Sequence, residues 1–110
     1  MSPEEKLALI QDLHGKYPSL TLSESSPDCD SDTFVIFKPA GRIEYNTYRQ
    51  QRDGESTRYD ADFALAYACV VYPDRKALDL VFDRMPAFAS SLAVDIIHES
   101  GGLKSSVKKV

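Results

Sequence analysis

The chain has 110 residues, of which 43% are hydrophobic and 27% are charged, and its formal net charge is -4. This length suits a single domain that buries about two-thirds of the surface of its unfolded chain. The negative charge argues against a nucleic-acid-binding protein, because such proteins neutralise phosphates with lysine and arginine.

The first five residues are acidic and lack the basic and then apolar pattern of a secretion signal. The longest apolar run, residues 63–72, is about half the ~20 residues that a membrane-spanning helix needs. Cys29 and Cys69 do not form a disulfide framework, and Cys69 lies in the most apolar segment. We therefore expect a soluble intracellular protein.

The first predicted element is a helix over residues 3–14. Ser2 can cap it, Pro3 fits its first turn, and Glu5 completes an S-x-x-E capping box. Gly15 is expected to stop it. The apolar positions expected to face the core are Leu7, Leu9, Ile10 and Leu13.

Two strands are predicted next. Residues 20–22 alternate between apolar and polar, and residues 33–37 are β-branched or aromatic. The intervening stretch, 23–32, consists of Ser, Glu, Pro, Asp and one Cys, which is typical of a loop. The pattern predicts a short antiparallel hairpin with a long acidic connection.

Three or four further helices follow. Residues 42–52 are helical in composition, with Ile43, Tyr45 and Tyr48 as expected packing residues. The next helix is expected over residues 58–72, and its centre is apolar all round. Such a helix is buried on most sides or keeps one side for a partner.

The last two predicted helices have clear start and stop signals. Asp74 can cap a helix over residues 75–84, and a last helix begins after Pro86 and closes at Gly101. We therefore predict an α+β fold, with a short antiparallel β-hairpin packed against four to five helices. Residues 1–102 form one compact domain, and 103–110 form a flexible Ser/Lys tail.

A calcium-binding site is one possibility, because Asp28, Asp30 and Asp32 have the spacing of the first ligands of an EF-hand loop. That loop needs glycine at its sixth position, where Thr33 stands, and glutamate at its twelfth, where Pro39 stands. A solvated acidic loop is the better interpretation.

Catalytic and metal-binding signatures are absent from the sequence. His14 and His98 each lie at the expected end of a helix, without a second ligand at zinc spacing. No P-loop, G-x-S-x-G, G-x-G-x-x-G or C-x-x-C motif occurs. We predict no catalytic residue, no cofactor, no metal and no small-molecule substrate.

Protein binding is a positive alternative. Tyr45 and Tyr48 share a helix with Arg42, Arg49 and Arg52, and arginine and tyrosine are frequent hot-spot residues in interfaces. The simpler interpretation, that these tyrosines lie half-buried at the edge of the core, stays open.

The order of the segments over residues 33–102 resembles the small tail assembly chaperones of long-tailed bacteriophages. A strand–Pro–Arg–acidic–aromatic block is followed by a cysteine–valine–Pro–Asp block, and then by two helices. The matching segments are Val35-Ile36-Phe37-Lys38-Pro39, Arg42-Ile43-Glu44-Tyr45-Asn46-Thr47-Tyr48 and Ala68-Cys69-Val70-Val71-Tyr72-Pro73-Asp74, followed by Pro86 and Gly101.

The resemblance implies an assembly factor of the host cytoplasm that is not expected in the mature virion. Such chaperones bind the tape measure protein, and in a longer frameshifted form they recruit the tail tube protein. The resemblance implies no cofactor, no catalytic residue and no nucleic-acid or membrane partner. It implies a groove of apolar and aromatic side chains for helices of the client protein.

We expect one side of the apolar helices to be exposed for this purpose. The partner-binding residues predicted on this basis are Arg42, Tyr45, Tyr48, Phe63, Tyr67, Phe88, Leu92 and Ile96. The main alternative function is another phage or prophage protein-binding module, such as an inhibitor of a host enzyme. A small enzyme or metal protein and a structural virion component are further alternatives.

Overall fold

A small antiparallel sheet lies between two helical layers in the computed structural model, which describes residues 2–27, 32–101 and 108–109. The side chains of residues 59, 108 and 109 are not among those described. The helices are α1 (Pro3–Lys16), α2 (Arg42–Asp53), α3 (Ala61–Cys69), α4 (Arg75–Arg84) and α5 (Ala87–Ser100), with a 3-10 turn at Arg58–Asp60. The strands are β1 (Ser23–Ser25), β2 (Val35–Phe37), β3 (Val70–Tyr72) and a two-residue β4 (Lys108–Lys109).

The strand order is β3-β2-β1-β4, and every pairing is antiparallel. Ile36 of the central strand β2 lies opposite Glu24 on one side and Tyr72 on the other. The three longer strands and five helices confirm the predicted α+β fold class and its single compact domain. None of the described helices is long and apolar enough to cross a membrane.

Strand β2 is buried on both faces. Val35 and Phe37 point into the main core, which is completed by side chains of α3, α4 and α5. Ile36 points the opposite way, into a smaller core with Leu13 of α1 and Leu22. Because successive side chains of a strand alternate between faces, a wholly apolar strand needs a cover on each side.

Helix α1 confirms its predicted start. The Glu5 N–H donates to Ser2 Oγ at 3.2 Å, and the Ser2 N–H donates to a Glu5 carboxylate oxygen at 3.3 Å, which completes the capping box. The predicted stop at Gly15 is wrong, because the helix continues to Lys16. Leu7 is exposed and does not face the core, because α1 packs through its later residues.

The first predicted strand is displaced. β1 occupies Ser23–Ser25, within the predicted loop, and not residues 20–22. Leu22 is buried immediately before the strand, while polar residues supply the backbone pairing to β2. Of the rest of that predicted loop, residues 28–31 lie outside the described part of the chain.

The predicted helix over 58–72 is three elements. A 3-10 turn leads into α3, and residues 70–72 leave the helix to pair with β2 as strand β3. Two valines and a tyrosine favour extended backbone, and the residue before Pro73 is disfavoured in a helix. The edge of β2 supplies the backbone hydrogen-bonding partners with which these residues form a strand.

The last two helices confirm their predictions. Helix α4 spans Arg75–Arg84, and the Ala77 N–H donates to the Asp74 carboxylate at 2.9 Å. Helix α5 ends before Gly101 as expected. Of the predicted flexible tail, 103–110, residues 103–107 and 110 lie outside the described residues. The prediction is wrong for residues 108–109, because their backbone pairs with β1.

Asp95 joins the helical layer to the sheet. The Ser25 hydroxyl of β1 donates to the Asp95 carboxylate of α5 at 2.9 Å. Burial raises the pKa of Asp95 above its usual range, and the Ser25 hydrogen bond opposes that rise only in part. His98 lowers this pKa and Glu99 raises it.

An Asp95→Asn variant is expected to gain stability relative to the wild type as the pH rises. A carboxyl whose pKa is raised in the folded state contributes stability that is fully present below the unfolded pKa and is lost as the pH rises through the folded pKa. Asparagine keeps an acceptor for Ser25 without the charge. Urea unfolding at pH 3, 5 and 7 measures the difference, and a gap between the two proteins that stays constant would contradict the assignment.

Candidate protein-binding surface

Helix α2 lies on the surface, and none of its twelve residues, all of them described, is buried. The residues turned toward the rest of the domain are Glu44, Tyr48 and Gln51, at i, i+4 and i+7. This inner face is largely polar, and the apolar Ile43 lies beside it and is 80% exposed. The prediction that Ile43 packs in the core is wrong, and Tyr45 is also exposed, at 37%.

Tyr48 anchors α2 to the domain. Its hydroxyl donates to one carboxylate oxygen of Asp62 in α3 at 3.2 Å, and Ser90 Oγ of α5 donates to the other oxygen at 3.0 Å. Burial raises the pKa of Tyr48, and the Asp62 charge adds to the rise. The tyrosine therefore stays protonated, and Asp62 links three helices.

The outer face of α2 is basic and aromatic. The Arg49 guanidinium carbon lies 6.0 Å from the ring centre of Tyr45, and that of Arg52 lies 5.7 Å from the ring centre of Tyr48. Such cation–π contacts are worth about 0.5–1 kcal/mol when exposed. Among the described residues, Arg42 and Arg49 form no salt bridge.

A groove separates α2 from α5, and we call it the α2–α5 groove. It consists of two adjoining cavities, of about 400 Å³ and 160 Å³, that share Tyr45 and Ile97. The larger cavity is lined by Ala40, Gly41, Arg42, Tyr45, Ile97, Ser100 and Gly101. The smaller one is lined by Tyr45, Tyr48, Arg52, Val94, Ile97 and His98.

The larger end of this groove is fixed by hydrogen bonds. The Ala40 N–H donates to Ser100 Oγ at 2.7 Å, and the Ser100 hydroxyl donates to the Ile96 carbonyl at 2.6 Å. The start of α2 is thereby tied to the end of α5. Since Arg42 lies near Gly101 and Arg52 near Val94, the two helices run antiparallel along the groove.

A third cavity, of about 260 Å³, lies outside the α2–α5 groove, on the other flank of α2 against α3. It is lined by Ile43, Glu44, Thr47, Tyr48, Gln51, Ala64, Leu65 and Ala68. Helix α2 is thus a ridge with a depression on each side, and none of its residues is buried.

The predicted partner-binding residues fall into three groups. Arg42, Tyr45 and Tyr48 come together along the α2–α5 groove. Phe63 and Tyr67 are half-buried at the edge of the main core.

The third group is a correction. Phe88, Leu92 and Ile96 are buried, so the expectation that they lie on an exposed face is wrong. Helix α5 packs against α3 and, through the main core, against Val35 and Phe37 of the sheet. These contacts bury Phe88, Leu92 and Ile96 together with the neighbouring Ala89 and Ala93.

Tyr67 faces a different part of the surface. Its hydroxyl donates to the Asp79 carboxylate of α4, and the Arg75 guanidinium carbon lies 4.4 Å from its ring centre. The hydrogen bond to Asp79 raises the pKa of Tyr67. Tyr67 therefore braces α3 against α4 and does not extend the α2–α5 groove.

The contribution of α5 to the groove was not predicted from the sequence. Val94 is 52% exposed, and Val94, Ile97, His98 and Gly101 lie at i, i+3, i+4 and i+7 along one face of α5. This spacing was available as a signal, because it marks a second helical stripe beside the buried one.

Possible metal ligands and the thiol of Cys69 are the other groups with reactive chemistry in the described part of the chain. Within residues 2–27 and 32–101, no group of three His, Cys, Asp or Glu side chains could hold a metal ion. Asp28 and Asp30 of the acidic segment lie outside the described residues. Cys69 is buried in the main core, where burial raises the pKa of its thiol to about 11.

Cys69 is expected to react slowly in the native state. A pKa near 11 leaves about 100-fold less thiolate than the value of 9.0 for a free thiol. In a Cys29→Ser variant at pH 8, modification by a thiol reagent is therefore expected to be at least ~100-fold slower in buffer than in concentrated urea. Equal rates in the two solvents would show that Cys69 is accessible in the native protein.

The chain was also compared with known proteins. No protein-family model, no curated protein and no solved structure matches it.

Proposed function

We propose that this chain is a phage tail assembly chaperone that binds the tape measure protein without catalysing a reaction. The observation that carries the binding part is the surface of α2, where Ile43, Tyr45 and three arginines are exposed beside the α2–α5 groove. The order of the sequence segments over 33–102 supports the assignment to tail assembly.

The surface of α2 has the composition of an interface. Tyrosine and arginine are enriched among the residues that dominate binding energy, and apolar side chains near them exclude water. Here the Arg49 guanidinium lies near the ring of Tyr45, so a partner that contacts one of these side chains meets the other as well.

The shape of this surface suits a helical client. Grooves beside a helix accept amphipathic helices through apolar residues at i, i+3, i+4 and i+7. A tape measure protein is long and helical, so its apolar faces need cover until the tail tube forms around it. Binding must be reversible, because the client has to be released when the tail tube forms.

The remaining parts of the proposal follow from the resemblance. The protein acts in the host cytoplasm, is absent from the finished virion, and in an extended form also engages the tail tube protein. The α2 surface is equally available to a different target, such as a host enzyme that the protein inhibits, and the experiment below separates these partners.

Co-expression with the tape measure protein encoded in the same genome tests the proposal. The soluble yield of the tape measure protein is expected to rise, and the two proteins should co-purify. A Tyr45→Ala/Arg49→Ala variant should lose at least about tenfold of the captured client, since hot-spot truncations cost ~1–2 kcal/mol or more each. Leu80→Ala, which alters an exposed residue of α4, is the matched control.

Four outcomes contradict the proposal. The tape measure protein stays insoluble in the presence of the chain, or the Leu80→Ala control loses capture as strongly as the α2 variant. Stoichiometric co-purification of a host enzyme, with the tape measure protein left behind, supports the inhibitor alternative. Mass spectrometry of intact particles detects a structural component, which the proposal excludes.

A further inference from the structure

We infer that the α2–α5 groove binds an amphipathic helix whose apolar stripe is flanked by aspartate or glutamate. The inference names the chemistry of the client segment and rests on the proposed function. It is carried by the shape of the groove, by its apolar floor and by the arginines along its rim.

The length of the groove fits a short helix. The lining residues of α2 run from Arg42 to Arg52, which spans about 15 Å at ~1.5 Å per residue. The two cavities adjoin at Tyr45 and Ile97, which line both of them, and together they cover this length. About three turns of a partner helix occupy it.

The floor of the groove is apolar. Tyr45 contributes its ring from α2, and Val94 and Ile97 contribute from α5. Val94 and Ile97 are separated by about one turn of α5, which matches the spacing of apolar side chains along one face of a partner helix.

The rim of the groove is basic. Arg42 and Arg52 line the two cavities, and Arg49 lies between them in sequence, near the ring of Tyr45. Residues 42, 45, 49 and 52 follow one another at intervals of three, four and three residues, so they form one stripe along α2. The only carboxylate that pairs with this stripe among the described residues is Asp53, 3.9 Å from Arg52 Nε. Glu44 lines the opposite cavity against α3.

This local charge contrasts with the net charge of -4 of the chain. Guanidinium groups recognise carboxylates through paired hydrogen bonds, and complementary charge sets the register and raises the association rate. Nucleic acid also carries negative charge, but the acidic chain as a whole repels a polyanion and the apolar floor offers it little. An acidic amphipathic helix satisfies both the floor and the rim.

Two synthetic helical peptides of about 18 residues test the inference, since ~15 Å of groove requires only about ten. They share one leucine stripe, and the flanking positions carry glutamate in one peptide and lysine in the other. Titration into the ¹⁵N-labelled full chain is expected to shift amides of α2 and α5 with the glutamate peptide. The lysine peptide should bind at least about tenfold more weakly, and the difference should shrink at high salt.

Charge reversal supplies the matched variant. Arg42→Glu/Arg49→Glu replaces two exposed residues of the rim and is expected to invert the preference between the peptides. Lys16→Glu/Lys76→Glu makes the same change of charge at exposed positions of α1 and α4 and should leave the preference unchanged. Equal urea midpoints for the variants show that folding is intact.

Equal binding of the two peptides, or amide shifts confined to other surfaces, would overturn the inference. Dilution-dependent shifts of α2 in the free protein would show instead that a second copy fills the groove. If the glutamate peptide binds but the tape measure protein is not captured, the groove stands and the tail-assembly proposal fails. If the tape measure protein is captured equally by the rim variant, the groove assignment fails and the proposed function stands.

Discussion

Replacing Phe82 with alanine is expected to lower the free energy of unfolding by about 3–5 kcal/mol. Phe82 is 4% exposed, and its ring centre lies 5.4 Å from that of Phe63, 5.9 Å from that of Tyr67 and 6.5 Å from that of Phe88. The substitution removes three edge-on aromatic contacts and leaves a cavity where α3, α4 and α5 meet.

A loss of this size is severe for a domain whose total stability is expected at ~5–15 kcal/mol. Leu80→Ala on the same helix is the control, because Leu80 is 66% exposed and its replacement should change stability by no more than about 0.5 kcal/mol. Urea unfolding followed by circular dichroism measures both variants. Similar losses for Phe82→Ala and Leu80→Ala would show that α4 faces the core by a different side.

Local signals explain the elements that the sequence predicts well. The capping box at Ser2 and the carboxylate cap at Asp74 act within one helical turn, so the starts of α1 and α4 follow from neighbouring residues alone. The apolar stripe of α4 is likewise local, and its members Leu78, Val81 and Phe82 are all buried.

Distant pairing explains the elements that it misses. Residues 70–72 continue an apolar helix in the sequence, and their local preference for extended backbone leads to strand β3 because β2, far earlier in the chain, offers an edge. The polar residues of β1 form a strand for the same reason. Strand formation depends on a partner, and this dependence is invisible to local propensity.

The candidate site shows the same limit. Arginine and tyrosine on one helix were sufficient to single out Arg42, Tyr45 and Tyr48, which do line the α2–α5 groove. The orientation of α2 was not predictable, because it is set by the bond from Tyr48 to Asp62 on another helix. Helix α5 is buried because α3 and the sheet both lie against it. The periodicity of its apolar residues alone does not distinguish such a helix from one that keeps an exposed apolar face.

Two isoleucines provide the second large prediction, because their environments are opposite. Ile36 is fully buried between β2 and α1, whereas Ile43 is 80% exposed on α2. Ile36→Ala is expected to lower the free energy of unfolding by ~2–5 kcal/mol. Ile43→Ala should change it by no more than about 0.5 kcal/mol, since no packing is lost and alanine is the better helix former.

The comparison also tests whether the smaller core belongs to the cooperative unit of the domain. Ile36 packs with Leu13 of α1 and Leu22, beside the stacked rings of Phe34 and Tyr72, whose centres are 5.3 Å apart. If α1 and the sheet unfold with the main core, Ile36→Ala shifts a single urea transition to lower concentration without changing its slope. A separate early transition would mean that α1 detaches first, and a larger loss for Ile43→Ala than for Ile36→Ala would contradict the assigned faces of both β2 and α2.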